Sequence, residues 1–351
     1  MDNKTTSSFH LVRQYGKQGG MENYVWELTH ALARKGHEVS VVCEKAHRKP
    51  SAQINVVELG LVKPKPRWIS QLKYSKKVTD FFDALAADNH AVIHSHERAA
   101  VHQVTTIHGP SILNRKKKVF DFLSLRLRAW EFLERREVVG PSVSCVFPNS
   151  KIIANELLDF YPHVKSNLCH PAYPGVAQTF HSIQRYIGDD VIGFMGREWK
   201  RKGLEVAVDA FKRVLKTKQN VRFLVAGMPP EEVSHLFKDI PINSYELLGW
   251  QKPEEFLSRI TVLIHPAYSE PFGMVVAEAN AVGIPVLVSS KAGVADLVTE
   301  NNGYVLDPDS KDWPSKLIEL MAWGGAVEPM NLSWDALADQ CVDVYRKLSG
   351  L

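Results

Sequence analysis

VIGFMGREWKRKGLEVAVDAFKRVLKTKQNVRFLVAG, residues 191–227, decides the fold. An apolar run ends on Gly196, a basic loop follows, and LEVAVDAFKRVL (204–215) reads as an amphipathic helix. A second apolar run, VRFLVAG (221–227), then closes a strand–helix–strand unit. Strands alternating with helices imply a parallel sheet covered by helices on both faces. The rhythm continues downstream through YELLG (245–249), VLIHP (262–266) and PVLVSS (285–290). It also runs upstream of a Pro-bearing stretch, HPAYPGV (170–176). There FHLVRQ (9–14) reads as a strand and YGKQGG as a loop. A helix over 22–35 follows, with Val25, Leu28, Ala31 and Leu32 on one face and Gly36 as its C-terminal stop. Further strands are EVSVVC (38–43), AVIHS (91–95), VTTIH (104–108) and VSCVFP (143–148). The expected architecture is α/β, with two doubly wound Rossmann-like domains facing across a cleft. The predicted domains are 1–175 and 176–332, with a final helix in 333–351 packing back on the first. Ligands in such sheets bind at the C-terminal strand ends.

The 351 residues suit two domains of ordinary size, and 45% hydrophobic with 23% charged residues is the composition of a folded soluble chain. The N-terminus MDNKTTSS is polar, and no run of eighteen uncharged apolar residues occurs, so neither a secretory signal nor a membrane-spanning helix is expected. Cys43, Cys145, Cys169 and Cys341 form no C-x-x-C pair. That spacing argues against zinc and against a disulfide framework, and fits a cytoplasmic location. The formal charge of +4 hides an asymmetry. Residues 1–175 carry 25 Lys and Arg against 16 Asp and Glu, a net of +9, and the rest carry 18 against 23, a net of −5. A basic half points to an anionic partner.

The segment IHPAYSEPFGMVVAEANAVGIPVLVSS (264–290) carries the densest chemistry. A helix starting near Pro271 to Gly273, with proline at its first position, offers an anion site. The amides of Phe272, Gly273 and Met274 would hold a diphosphate there. Glu270 and Glu278, seven residues apart, are expected on one face. One would accept hydrogen bonds from a transferred sugar and the other from ribose; the plainer reading is one capping and one solvated glutamate. In GREWKRKG (196–203), Arg197 and Lys202 at a strand end suit a diphosphate and the charge that develops on it as a leaving group. The alternative is a solvated charge run, or a contact made by Lys200 or Arg201 instead. Gly19 and Gly20 lie in a Gly-rich loop that is not G-x-G-x-x-G, so a dinucleotide fingerprint is absent. HSHE (94–97) has metal-ligand residue types but no Cys or third His at ligand spacing. Asp307-Pro308-Asp309 reads as a turn. Two basic segments, 63–77 and 115–136, stand out. The second has eight basic and three acidic residues, with Phe120, Leu123, Leu127 and Trp130 at helical spacing. Such a helix docks on an anionic membrane, binds a phosphorylated acceptor, or simply faces a core. No nucleic-acid module is visible.

The segment 264–290 resembles the donor-binding signature of the retaining family-4 glycosyltransferases, an E-x7-E motif followed by a small-residue helix and G-x-P-V. The match includes the E-P-F-G run, the Glu278-Ala279 pair, Gly283, Pro285 and Val286. Asn280 stands where that family usually has Met, a position expected to serve packing. Arg197 with Lys202 and Gly203 matches the family's strand-end Arg and Lys-Gly. YGKQGGMENY (15–24) matches its first Gly-Gly loop. TTIHGP (105–110) matches the strand ending in a His, and GWQKPEEF (249–256) the loop that meets the nucleobase.

The resemblance implies a GT-B glycosyltransferase that needs no metal and no cofactor beyond a nucleotide-sugar co-substrate, most simply a UDP-sugar. It would transfer a hexose with retention to a glycan or lipid-linked acceptor of lipopolysaccharide or envelope-polysaccharide synthesis. His108 and Glu270 would orient the sugar, Arg197 and Lys202 carry the leaving-group charge, and Glu278 bind ribose. Phe272, Gly273 and Met274 would hold the diphosphate, with Gly19 and Gly20 approaching donor or acceptor. Trp250 and Gln251 would meet the base, although a buried structural role fits Trp250 equally. No carboxylate suited to covalent catalysis is identifiable, so front-face attack is expected. The alternatives are an NDP-sugar epimerase on the same fold and a non-catalytic nucleotide-sugar-binding module.

Overall fold

The computed structural model describes residues 5–85, 91–115 and 124–350. The chain divides into two compact units, residues 1–175 with 333–351, and residues 176–332. Part of the second basic segment, 116–123, lies outside the described residues.

In the first unit the strands are β1 (Ser7–Leu11), β2 (Gln14–Tyr15), β3 (Glu38–Cys43), β4 (Lys45–Ala46), β5 (Ile54–Glu58), β6 (Val92–Ser95), β7 (Val104–Ile107) and β8 (Cys145–Pro148). Six of them form a parallel sheet in the order β5-β3-β1-β6-β7-β8, and β2 pairs with β4. The order reverses direction at β1, which has β3 on one side and β6 on the other. The chain therefore diverges at the C-terminal ends of β1 and β6, leaving a crevice there. The helix Gly20–Arg34 buries Val25, Leu28, Ala31 and Leu32, as their spacing predicts. The helix Trp334–Ser349 joins the same core through Leu337, Ala338, Cys341 and Tyr345. Full burial of each such aliphatic side chain contributes about 1.5–3 kcal/mol. Arg34–Asp335 and Lys35–Asp339, both 2.8 Å, rim this packing and add little in water.

In the second unit the strands are β9 (Val191–Met195), β10 (Arg222–Ala226), β11 (Tyr245–Leu247), β12 (Val262–His265), β13 (Val286–Ser289) and β14 (Gly303–Leu306). They repeat the same plan in the order β11-β10-β9-β12-β13-β14. The reversal now falls at β9, between β10 and β12. The helix Leu204–Leu215 covers one face with Leu204, Ala207, Val208, Phe211 and Val214. These pack with Phe194, Phe223 and Phe237 into one core.

Several expectations are corrected. The edge strands β5 and β14 were not anticipated, and the turn expected at Asp307-Pro308-Asp309 follows directly on β14. The cysteine spacing argued against a disulfide framework, yet Cys145 and Cys169 are bonded, with Cα atoms 6.3 Å apart. Tertiary pairing brings them together: Val146 N–H donates to Asn167 and Cys169 N–H to Val146, which lays 167–169 along β8. Cys43 and Cys341 are buried free thiols. Pro271 is not the first helical residue. The helix is Met274–Val282, capped by Gly273 at φ +109°. Glu270 therefore lies outside the helix, and the seven-residue spacing to Glu278 is not a helical face.

Asn280 is also more than a packing residue. It is 3% exposed; its Nδ2 donates to the Glu328 carbonyl at 2.9 Å and its Oδ1 accepts from Met330 N–H at 2.7 Å. The amide thus pins the segment after the helix Trp313–Met321. Asn280→Leu is expected to cost about 1 kcal/mol and to speed limited proteolysis within residues 323–331. Unchanged cleavage there removes the clamp.

Candidate active site

In the second unit the loop between β9 and its helix carries the cations. Gly196 has no side chain, and Lys202 occupies the space. A Cβ on Gly196 would sit 2.2 Å from Lys202 Cδ. Laid across the strand end, Lys202 places Nζ 3.2 Å from Glu270 Oε2. Arg201 adds Nη1 at 3.5 Å from the same oxygen and also donates to the Ser269 carbonyl. Glu270 is held by main chain: its N–H donates to Lys291 and its carbonyl accepts from Gly293 N–H. Burial pushes its carboxyl up, but Lys202, then Arg201, more than offset that, and it stays below the usual carboxylate range. Below it, His265 at the end of β12 is fully buried, 3.8 Å from Glu270 Oε2. Neither ring nitrogen has a hydrogen-bond partner among the described residues. Burial drives His265 down to about 3, so the ring is neutral.

Glu278 is the only charged residue of the helix Met274–Val282. Burial, then repulsion from Glu254, pushes its carboxyl up to about 7, and Lys202 opposes both. Lys202 is thus the cation that acts on both glutamates. Arg197 is exposed, and its guanidinium carbon lies 5.5 Å from the ring centre of Trp250. Trp250 is 62% exposed, which settles against a buried structural Trp. Gln251 anchors its loop by donating to the Leu248 carbonyl at 3.1 Å. Phe272 is buried, and Gly273 and Met274 open the helix whose first amides have no acceptor within the helix. The structure therefore gathers Lys202, Glu270 and Glu278 at the β9/β12 reversal, adds Arg201 and His265, and pairs Arg197 with Trp250.

In the first unit, Gly19 caps the helix Gly20–Arg34 with extended backbone, and a Cβ on Gly20 would meet nothing within 4 Å. Packing does not demand glycine at Gly20. His108 follows β7 and is half-buried. Its Nε2 is 3.1 Å from His96 Nδ1, and its ring meets Tyr24 edge-on at 4.7 Å. Burial lowers it to about 3. Glu97 is pushed up to about 7 by burial, against the pull of Arg13. A third histidine, absent at sequence spacing, does join His94 and His96. It is His10, from β1, and the three place ligand-type atoms within 4.8 Å of one another. The rings stack rather than converge, at 13° for His10 on His96 and 27° for His94 on His96. Both nitrogens of His94 are engaged, at 2.6 Å by Tyr345 Oη and 2.7 Å by Thr106 Oγ1. This geometry suits a hydrogen-bonded stack better than a coordination sphere.

Residues 178–325 match the family model of glycosyl transferases group 1. Residues 18–179 match that of glycosyltransferase family 4. The chain is a GT-B glycosyltransferase. An uncharacterised glycosyltransferase of Methanocaldococcus jannaschii is 26% identical over 383 residues, covering 93% of this chain and 94% of that one. Among solved structures, WaaG, a glycosyltransferase involved in lipopolysaccharide biosynthesis, superposes with a TM-score of 0.73 at 16% identity, over 98% of both chains. HepE of Anabaena, solved in complex with UDP-glucose, does so at 0.63 and 16%, over 98% of both. At these identities the solved structures speak for the fold.

Within this glycosyltransferase, the residues that sequence reasoning passed over are His10 and His265. Both are single histidines in otherwise apolar strand runs, FHLV and VLIH. A lone polar residue in a buried strand is the signal that would have found them, because burying it needs a partner or a function.

Proposed function

We propose that this glycosyltransferase transfers a hexose, with retention and without a metal, from a UDP-sugar to a glycan or lipid-linked acceptor of envelope or lipopolysaccharide synthesis. The observation that carries the reading is Lys202 Nζ 3.2 Å from Glu270 Oε2, near enough to Glu278 to oppose the rise that burial gives its carboxyl. A diphosphate brought to Lys202 and the amides of Gly273 and Met274 gains charge-assisted hydrogen bonds. Ionised Glu270 accepts hydrogen bonds from sugar hydroxyls, and Glu278 from the ribose diol. The base lies by Trp250 and Gln251, with Arg197 beside it. As the sugar–phosphate bond breaks, charge grows on the diphosphate and Lys202 stabilises it. The leaving oxygen accepts the acceptor's proton in front-face attack, so the protein contributes position and field. His108 and the glycine loop at Gly19 and Gly20 complete the reading from the first unit, which takes the acceptor.

The membrane-side acceptor draws on the first unit's surface. Lys63, Lys65, Arg67, Lys73 and Lys76 are exposed, as are Arg126, Arg128 and Arg135 around Leu125 and Phe132. No helix among the described residues is long and apolar enough to cross a membrane. This surface supports reversible docking on an anionic leaflet from the cytoplasmic side.

The test is a thermal-shift screen against UDP-, GDP- and ADP-sugars. UDP-sugars raise the melting point by mass action. A response to none of the three sinks the donor assignment. Turnover of a nucleotide-sugar without acceptor would mark an epimerase, and binding without any turnover a binding module. Donor binding also carries a proton. Because ribose meets the ionised form of a carboxyl lying near 7, affinity rises with pH. It is expected to be about tenfold tighter at pH 8 than at pH 6, one pH unit below the midpoint costing a factor of ten. Glu278→Gln flattens this profile in calorimetric titrations; a slope that survives the substitution assigns it elsewhere.

A further inference from the structure

The first unit contains a chain of imidazoles of which the proposed transfer chemistry uses only the last, His108. Ser8 Oγ is 3.3 Å from His10 Nε2, His10 Nδ1 is 3.2 Å from His96 Nε2, and His96 Nδ1 is 3.1 Å from His108 Nε2. His10 and His96 are buried, at 0% and 3% exposure, and His108 is the half-buried end. We propose that His10 and His96 are positioning residues that tie the tautomer of His108 to their own. The proposal rests on the reading above that has His108 orient the transferred sugar.

The argument is one of proton counting. A neutral imidazole carries one N–H and one lone pair. Every link here joins the Nδ1 of one ring to the Nε2 of the next. If His10 is protonated on Nδ1, it donates to His96 Nε2, so His96 carries its proton on Nδ1 and donates to His108 Nε2. His108 is then protonated on Nδ1. If His10 is instead protonated on Nε2, all three are. Any mixed arrangement sets two lone pairs or two protons face to face. The rings stay neutral because burial lowers each of them, His10 and His108 to about 3. His94, held at both nitrogens by Tyr345 and Thr106, stacks on His96 at 4.4 Å and keeps that ring in plane. The outcome at the far end is that His108 Nδ1 donates or accepts in step with His10 and His96, so its tautomer belongs to the chain of rings and does not vary on its own.

The experiment is long-range ¹H–¹⁵N correlation on the full chain labelled at histidine, with peaks assigned through His10→Asn, His96→Gln and His108→Gln. At pH 7.5 the wild type should show His10, His96 and His108 in the same tautomer, with no change down to pH 6. Mixed tautomers overturn the proposal. So does a transition metal that stays bound through chelation and shifts the His10, His94 and His96 peaks. In His96→Phe, the His108 pattern should collapse towards a tautomer average while His94 keeps its own; an unchanged His108 also overturns it. These readouts need no activity, so they stand apart from the transferase reading. Where turnover is measured, His96→Phe should lower kcat by about tenfold or more, because a histidine in the wrong tautomer withholds the group the reaction needs. His96→Gln, which can both donate and accept, should recover most of that loss.

Discussion

Lys202→Ala is expected to lower kcat/KM for sugar transfer by about 10²–10³-fold, the range for removing one charge-stabilising group from a transition state. The loss should fall on kcat at least as much as on KM, because charge on the diphosphate grows as its bond to the sugar breaks. Two further effects follow from position. Glu270 loses the cation 3.2 Å away and keeps only Arg201 at 3.5 Å. Its carboxyl then moves back up under burial, and the fraction able to accept sugar hydroxyls at pH 6 falls. Glu278 loses the one interaction that opposes its own raised value. Lys202→Ala and Glu270→Gln should therefore be non-additive, the double variant falling little below Lys202→Ala alone. Lys202→Arg should recover part of the activity, since charge returns but the compact ammonium does not. Steady-state kinetics on the four variants decides it. Full additivity would place Lys202 and Glu270 in separate functions.

Gly203→Ala should be the most destabilising single substitution near the site. Gly203 caps the helix Leu204–Leu215 at φ +77°, and an added Cβ would lie 2.0 Å from the Pro266 carbonyl oxygen. The left-handed backbone alone costs a non-glycine residue about 1–2 kcal/mol. The clash meets main chain rather than a flexible side chain, adding about 1–3 kcal/mol. A total of about 2–5 kcal/mol corresponds to a drop of roughly 5–15 °C in Tm for a unit of this size. Gly20→Ala is the control: its Cβ meets nothing within 4 Å, and Tm should stay put. Calorimetry on both variants checks the pair. A small change at Gly203 would mean that the loop carrying Arg201 and Lys202 can shift to relieve the clash.

Most of the fold was legible because its signals are local. The apolar run 191–195, the helix 204–215 and the strand 38–43 stand where periodicity puts them. The two edge strands were harder. Ile54–Glu58 is half polar, and Gly303–Leu306 begins with a glycine and runs into a turn. The site was legible as far as residue types go, since Glu270, Glu278 and Lys202 could be named from the sequence. Their geometry could not. The Glu270–Glu278 spacing looks helical, yet Glu270 owes its place to a bridge with Ala292 and the helix starts only at Met274. Likewise His10, His96 and His108, and Cys145 with Cys169, meet only once the strands are ordered. Sequence spacing carries no information on that order.

The central claim is that Lys202, with the start of the helix Met274–Val282, grips a sugar diphosphate whose hydroxyls Glu270 and Glu278 read. A crystal structure of the chain with UDP-glucose tests it most directly. The account predicts diphosphate oxygens in hydrogen-bond reach of Lys202 Nζ and the Gly273 and Met274 amides, glucose hydroxyls on Glu270 and ribose hydroxyls on Glu278. A diphosphate bound away from Lys202, or either glutamate with no contact to the nucleotide-sugar, would contradict it.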